Sequence, residues 1–410
     1  MYKPLPNDSP PIVFFGVSWH HNYGEHRRRH NNGGRGMAII DLYSGCGGLS
    51  LGAKLAGFHT ITAVDIDSDL QSAFSLNFPN THTVTADVRE LTNAFWEYEL
   101  AGRRVDGVIG GPPCQGFSRM GKREVGDPRN TLVGEFFRQV MLIRPRFFVM
   151  ENVEGLLDDD FRDVLFEGLE VVAKRYQVVG PMMVNAADFG VPTERKRVLV
   201  LGYDPQEMDP IDEQDIAAGH ASSRTIVADA ICDIPEPTSV GEKGDDRFGW
   251  AKYRNTRGVL SLYAERCRSA PPADIGAPLA RAMLEAGFVS GLVATAHSSE
   301  VRNRFAATPQ RGVEPVSRYP KLAWNSLCPT LRAGTGKDRG SFQSVRPIHP
   351  ESPRVISVRE AARLQGFPDW FLFHPTKWHS FRMIGNSVSP LMSEAIFKVI
   401  SSRLTTALVA

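Results

Sequence analysis

From position 37 onward, short apolar runs alternate with segments of helical period. The run 38–42 stops at a glycine-rich loop, Ser44-Gly45-Cys46-Gly47-Gly48, and a helical stretch follows from Leu49. The run 61–64 ends in Asp65, and a third strand-like run ends at Ala86-Asp87-Val88. Run 105–109 leads into Gly110-Gly111-Pro112-Pro113-Cys114, run 147–150 into Glu151-Asn152, and 198–201 closes the series. Helical segments 66–78, 129–143 and 158–174 separate the runs. Short, wholly apolar runs between turn residues fit strands buried on both faces. Their alternation with helices predicts an α/β chain, a parallel sheet with helices on both sides. Ligand groups in such sheets collect at the carboxyl ends of strands. Asp65, Cys114 and Glu151 all fall at such ends.

The pattern loses its regularity after Gly202 and regains it at Val358, where 359–365 and 390–403 read as helices. Between these limits the charge is split. Residues 204–247 carry 12 acidic and 3 basic side chains, and residues 302–346 carry 9 basic and 2 acidic. The acidic half is expected to face away from phosphates. These breaks predict four parts: a flexible leader at 1–36 with Met37 as the functional start, a catalytic and cofactor-binding domain at 37–203, a smaller loop-rich domain at 204–350, and a return segment at 351–410 that completes the first domain.

Over the whole 410 residues the formal net charge is only +1, so any basic surface is local. Five cysteines, none in a CxxC pair, fit reduced thiols and give no metal knuckle. Positive charge at 27–29 follows the short apolar run 12–17, the wrong order for a signal peptide, and no run of about 18 apolar residues predicts a membrane span.

Several residues carry chemistry. The glycines of the 44–48 loop let backbone amides approach a ligand at a helix N-terminus, although Ser50 breaks the strict GxGxxG pattern. Asp65, about twenty residues on, stands where an acid holds ribose hydroxyls or, equally, caps the helix from Ile66. Asp87 either accepts from an adenine amino group or caps a turn. Two prolines before Cys114 and a glycine after it mark a thiol set up for nucleophilic attack rather than packing. Cys46, Cys232, Cys267 and Cys328 lack that setting. Glu151 is placed to act as a proton donor. Arg195 and Arg197 share a face by period two and suit an anion or a carbonyl oxygen.

In this order the motifs resemble the DNA (cytosine-5) methyltransferase family. The set is Asp41-Leu42-Tyr43-Ser44-Gly45-Cys46-Gly47-Gly48, Pro112-Pro113-Cys114-Gln115-Gly116-Phe117-Ser118, Glu151-Asn152-Val153, Arg195-Lys196-Arg197, Arg359-Glu360-Ala361-Ala362-Arg363-Leu364-Gln365-Gly366-Phe367-Pro368 and Gly385-Asn386-Ser387-Val388. The resemblance implies a Rossmann-like domain that uses S-adenosyl-L-methionine and releases S-adenosyl-L-homocysteine, without a metal. Residues 204–350 become the target-recognition domain. Cys114 becomes the nucleophile toward cytosine C6, Glu151 the group at N3, and Arg197 the group at O2 with Arg195 beside it. Tyr43, Ser44, Gly45, Cys46, Gly48, Asp65, Ile66, Asp87, Val88, Pro113, Leu132, Asn386 and Val388 become the cofactor pocket. Gln115, Ser118, Thr330, Leu331 and Arg332 become DNA contacts, and Lys321 a phosphate contact.

The implied partner is double-stranded DNA, with a cognate restriction endonuclease acting separately. The implied setting is a monomer in the bacterial or archaeal cytoplasm, off the membrane. Thr193, Ser357 and Asp65 depart from the residues common at their positions. Three other readings stay open: the tRNA branch of the same family, whose Cys-Phe-Thr signature is missing; a catalytically inactive DNA-binding homologue; and a nicotinamide oxidoreductase, which the broken glycine pattern disfavours.

Overall fold

Seven strands form the central sheet: β1 (Met37–Leu42), β2 (Phe58–Asp65), β3 (His82–Thr85), β4 (Gly107–Gly110), β5 (Phe147–Val153), β6 (Gln177–Asn185) and β7 (Lys196–Tyr203), in the order β3-β2-β1-β4-β5-β7-β6. The computed structural model describes residues 36–113, 131–159, 162–238, 247–254, 260–333 and 346–404. The leader at 1–35 and the loop with Cys114, Gln115 and Ser118 therefore lie outside the described residues.

β1 to β5 run parallel, but β7 is antiparallel to both β5 and β6. The expectation of a wholly parallel sheet fails at this edge. β6 itself gave no apolar run, because it is an edge strand that alternates in burial and is broken by Gly180-Pro181, where its register shifts. The period of two sorts the strand side chains onto opposite faces. Ile39, Ala63, Ile109, Val149, Leu199 and Leu201 enter one core, and Ile40, Val64, Val108, Met150, Val198 and Val200 the other.

Helices α1 (Gly48–Leu55), α2 (Ser68–Asn77), α3 (Asn93–Leu100), α4 (Leu132–Ile143) and α5 (Arg162–Val172) join these strands. Among the described residues, 204–350 hold short elements: α6 (Glu213–Ala217), α7 (Val227–Ile231), α8 (Leu262–Arg268), α9 (Pro278–Glu285), α10 (Ser299–Ala307) and the two-stranded pair β8 (Ala251–Lys252) and β9 (Phe288–Val289). The chain returns through α11 (Val358–Leu364), α12 (Lys377–Asn386) and α13 (Pro390–Arg403).

α13 packs on α1. Ser393 Oγ donates to Leu49 O at 2.7 Å, a side chain at Gly52 would collide with Ser393, and the Phe397 ring stands edge-on to Phe58 at 5.4 Å. α11 starts with a reciprocal cap between Ser357 and Glu360. That cap needs only a hydroxyl, which accounts for serine at a position where threonine is common.

Two arginines of the α11 motif are wholly buried. Arg359 donates to Ser290 O, Ser290 Oγ, Pro368 O and Phe371 O. Arg363 pairs with Asp233 and Asp369 at 2.7 and 2.6 Å. They fasten residues 204–350 to the return segment.

Candidate active site

The first loop leaves β1 through two residues in the left-handed region, Tyr43 at φ 58° and Gly45 at φ 55°. This turns Gly45 N onto Asp65 Oδ2 at 2.8 Å, while Asp65 Oδ1 accepts from Asp67 N at 2.9 Å. Burial raises the Asp65 pKa, and the two amide hydrogen bonds oppose that rise. The alternative role of Asp65 as a helix cap is overturned: Asp67 caps α2, accepting from Asp69 N and Leu70 N. Ile66, beside Asp65, is 67% exposed.

Other contacts draw the pocket residues together. Tyr43 Oη donates to Leu132 O at 3.1 Å, bringing the α4 start to the loop. A side chain at Gly48 would collide with Ser387 Oγ and Val388 O, so Asn386 and Val388 approach the loop from the far end of the chain. Around Gly45 a Cβ would meet nothing within 4 Å, leaving open space above the loop.

Four side chains named for the pocket are committed elsewhere. The Ser44 hydroxyl donates to Val64 O and accepts from Gln71 Nε2 at 3.0 Å, and the Cys46 thiol, pushed up to about 12 by burial, lies 3.8 Å from Met383 O. Val88 is buried, with its carbonyl taken by Gln139 and Arg138. For these three the side chain is packing, and ligand contact falls to the backbone. Asp87 caps a short turn through Arg89 N and pairs with the Arg89 guanidinium at 2.6 Å, which holds its carboxyl below the usual range.

The catalytic candidates meet where β4, β5 and β7 end. Asn152 Nδ2 donates to Pro112 O at 3.2 Å and fixes the entrance to the Pro113-Cys114 loop. A Cβ at Gly111 would lie 3.2 Å from Glu151 Oε2, so glycine keeps that carboxylate accessible from the loop. The antiparallel register sets Arg197 opposite Val153, and Arg197 Nε reaches Glu151 Oε1 at 2.8 Å, both side chains being nearly buried. Arg195, also buried, donates to Leu331 O at 3.4 Å.

That last bond ties the approach to β7 to residues 328–333, as do others. Thr330 Oγ1 donates to Glu194 O at 2.5 Å, and Glu194 N to Cys328 O at 2.9 Å. Thr193 Oγ1 donates to Leu364 O at 2.5 Å, so its hydroxyl pins β7's approach to α11, a job open to this departure from the usual residue. Gly385 lies so close to the Arg332–Ala333 peptide that a side chain there would collide with it. Two expectations are corrected. Leu331 is buried and Lys321 is buried with Nζ on Phe305 O at 3.0 Å, so neither presents its side chain to DNA. Arg332 is exposed.

Asp41, Asn152 and Gly385 stood in the sequence only as members of the quoted motifs, with no role of their own. Asp41 has a further signal in retrospect, an acid inside a strand otherwise apolar.

Among the described residues no helix is long and apolar enough to cross a membrane. Asp69, His374 and His379 place three ligand-type atoms within 4.8 Å of one another, but His374 Nδ1 already accepts from Thr376 N.

Comparison with known proteins covers nearly all of this architecture. The profile described as C-5 cytosine-specific DNA methylase matches residues 37–402. The type II methyltransferase M.XorII of Xanthomonas oryzae pv. oryzae is 46% identical, over 87% of this chain and 82% of its own length. M.DdeI of Desulfomicrobium norvegicum is 32% identical, over 89% of this chain and 88% of its own. A crystal structure assigned as a DNA modification methyltransferase encoded within an E. coli prophage superposes with a TM-score of 0.79 at 36% identity, covering 90% of this chain and 99% of the other. The S. pombe Dnmt2 methyltransferase, at 16% identity and TM-score 0.56, shares the fold. With the profile spanning both the sheet and the return segment, this chain belongs to the C-5 cytosine-specific DNA methylase family, as a DNA cytosine-5 methyltransferase.

Proposed function

We propose that the chain methylates C5 of a cytosine flipped out of a specific duplex sequence, through a covalent bond between Cys114 and C6. The observation that carries this is the Glu151–Arg197 pair, at 2.8 Å, beside the Pro112 carbonyl from which the Cys114 loop departs. Carbon 6 is shielded inside the stack, so the base must leave the helix.

The Cys114 thiolate forms the sulfur–carbon bond to C6. The displaced π electrons reach C5 and the N3 side of the ring, where Glu151 supplies a proton. Arg197 holds O2 and keeps Glu151 in position. Bound S-adenosylmethionine supplies an electrophilic methyl group on sulfur. Once the methyl group stood on C5, a base would remove the C5 proton, N3 would return its proton to Glu151, and breaking the bond to Cys114 would restore the ring and the thiolate.

The residues present fit this cofactor. Asp65 offers a carboxylate to ribose hydroxyls, Ile66 an exposed apolar face to the adenine, and Gly45 the open space above the loop. We assign Tyr43, Leu132, Pro113, Asn386 and Val388 to the same pocket, on the support that Tyr43 Oη donates to Leu132 O and that Val388 O lies against Gly48. We assign residues 37–203 and 351–410 to the catalytic domain and 204–350 to target recognition, with Thr330 and Arg332 beside β7 as DNA contacts together with Gln115 and Ser118. The biological role proposed is protection of host DNA against a separate cognate endonuclease, by an enzyme acting as a monomer.

Cys114→Ser should abolish methyl transfer to duplex DNA while calorimetry shows S-adenosylmethionine binding retained. On a duplex with 5-fluorocytosine at the target, the unaltered chain should form a denaturant-stable adduct, because fluorine is not eliminated as the proton is. Methyl transfer surviving in the serine variant, or transfer to tRNA in preference to DNA, would overturn the reading.

A further inference from the structure

His379 stands on the first turn of α12 and packs against Trp378, with ring centroids 4.7 Å apart. Its Nδ1 is buried and has no hydrogen-bond partner. Asp69 Oδ2 lies 3.7 Å from that nitrogen, too far for a hydrogen bond. A buried polar atom left in this state costs stability unless something else satisfies it.

His374 meets His379 from the loop before the helix, with ring centroids 4.4 Å apart at 62°. That loop is fixed on α12, because Ser380 Oγ donates to His374 O at 2.5 Å and to Thr376 O at 3.1 Å. Thr376 N donates to His374 Nδ1, and Thr376 Oγ1 lies 3.0 Å from the same nitrogen. Asp69 belongs to the first turn of α2, where Asp67 accepts from its amide at 3.1 Å. Arg382 Nη2, one turn along α12 from His379, pairs at 2.6 Å with Asp67 rather than with Asp69.

One ligand atom from each of Asp69, His374 and His379 lies within 4.8 Å of the others. Two ligand atoms at about 2.0–2.1 Å from a tetrahedral zinc ion stand about 3.4 Å apart. The 3.7 Å between His379 and Asp69 is close to that spacing, and the Asp69 side chain, 49% exposed, has room to turn and close the rest. Two imidazoles and a carboxylate suit zinc, cobalt or nickel, whereas magnesium and calcium take oxygen ligands. We propose that Asp69, His374 and His379 bind a divalent transition-metal ion that staples the start of α2 to the start of α12. His374 would ligate through Nε2, with Nδ1 turning a proton toward Thr376 Oγ1, since a ligating histidine ordinarily donates its second N–H to an oxygen.

The effect of the ion follows from what the two helices carry. α2 starts at Ser68, just after Asp65 and Ile66, and α12 ends at Asn386. An ion that holds the two helix starts together steadies the cofactor pocket, so ion and S-adenosylmethionine bind better together than apart. This coupling rests on the cofactor pocket proposed above, and the ion site itself does not.

The test uses the full chain without an affinity tag, stripped by a chelator that is then dialysed away. Titrated cobalt should give a visible d–d band without a thiolate charge-transfer band, and zinc should abolish it. His379→Gln and Asp69→Asn, both checked for fold by circular dichroism, should each weaken zinc binding in calorimetry by roughly tenfold or more, at least the loss that follows from changing a supporting residue of a metal site. Zinc, but not magnesium, should tighten S-adenosylmethionine binding by about fivefold or more in the unaltered chain and leave it unchanged in His379→Gln.

Zinc binding of equal strength in the unaltered chain and both variants, or a thiolate band with cobalt, would place the ion elsewhere and overturn the proposal. So would magnesium binding as tightly as zinc, the mark of an acidic surface only. Zinc held by these residues with no change in S-adenosylmethionine affinity would overturn the coupling. S-adenosylmethionine failing to bind with or without zinc would fell the reading of the cofactor pocket instead, while the cobalt and zinc titrations decide the ion site on their own.

Discussion

Asp41 is 1% exposed, at the end of β1 and directly before the cofactor loop, and its contact is with a hydroxyl rather than a cation. Ser50 Oγ donates to it at 2.6 Å, and Thr60 Oγ1 donates in turn to Ser50 at 2.9 Å. Burial pushes its pKa up to about 7; the Ser50 hydrogen bond works against that rise and the nearby Asp65 adds to it. Between about pH 4 and pH 7 the folded chain holds a proton that the unfolded chain releases. Stability from this group therefore falls as pH rises through that window, and the cost is fully present above pH 7. Asparagine can accept the same Ser50 hydrogen bond without a charge. Asp41→Asn should stabilise the cofactor-free chain at pH 8 by an amount on the order of a few kcal/mol and by almost nothing at pH 4. Urea denaturation at the two pH values measures it, and an equal gain at both would mean that the buried charge is not the cause. Glu151 is the contrasting acid, because its partner is a cation: Arg197 Nε lies 2.8 Å from Glu151 Oε1.

At the scale of elements, the regular parts were legible because local and global preferences agree. The apolar runs that became β1, β2, β4, β5 and β7 are buried on both faces, so no competing pattern hides them. α13 matches its expected span, Pro390–Arg403, because proline at its first position marks the start. β6 was hidden by its Gly-Pro interruption, and α12 by its mixed composition, Lys377-Trp378-His379-Ser380, which gives no clean period. The site was legible as separate motifs, but their meeting was not. Nothing in the spacing shows that Ser387 lies against Gly48, or that Leu331 O receives Arg195. The Gly48 contact sets how closely Ser387 and Val388 approach the first loop. Gly48→Ala should push Ser387 and Val388 away and weaken S-adenosylmethionine binding by roughly tenfold or more, an overpacking cost of about 1–3 kcal/mol. Calorimetry on the DNA-free protein tests this, with circular dichroism to show the fold retained.

For the whole molecule, a net charge of +1 conceals a division of labour between the acidic stretch 204–247 and the basic stretch 302–346. Five carboxylates of the acidic half pair with arginines of other elements. Asp204 pairs with Arg175, Glu207 with Arg146, Asp215 with Arg403, Glu236 with Arg354, and Asp233 with both Arg268 and Arg363. These carboxylates act as fasteners between the segment and the α/β body, while Arg311, Arg318 and Arg332 in the basic half stay exposed. Arg363 is the deepest of the fasteners. Both of its partners, Asp233 and Asp369, are buried, and it also donates to Ala230 O at 3.0 Å at the end of α7. Breaking a buried pair by removing one partner leaves uncompensated charge, at about 3–5 kcal/mol. Arg363→Met should therefore lower the unfolding free energy by about that amount in denaturant titration. Adding Asp369→Asn to the same chain should recover part of the loss, because Asp233 keeps Arg268 at 2.5 Å while Asp369 loses its principal cation. If the double variant is no more stable than Arg363→Met alone, the loss comes from the missing hydrogen bond to Ala230 and the packing of α7 on α11, and the charge balance is not what joins the two segments.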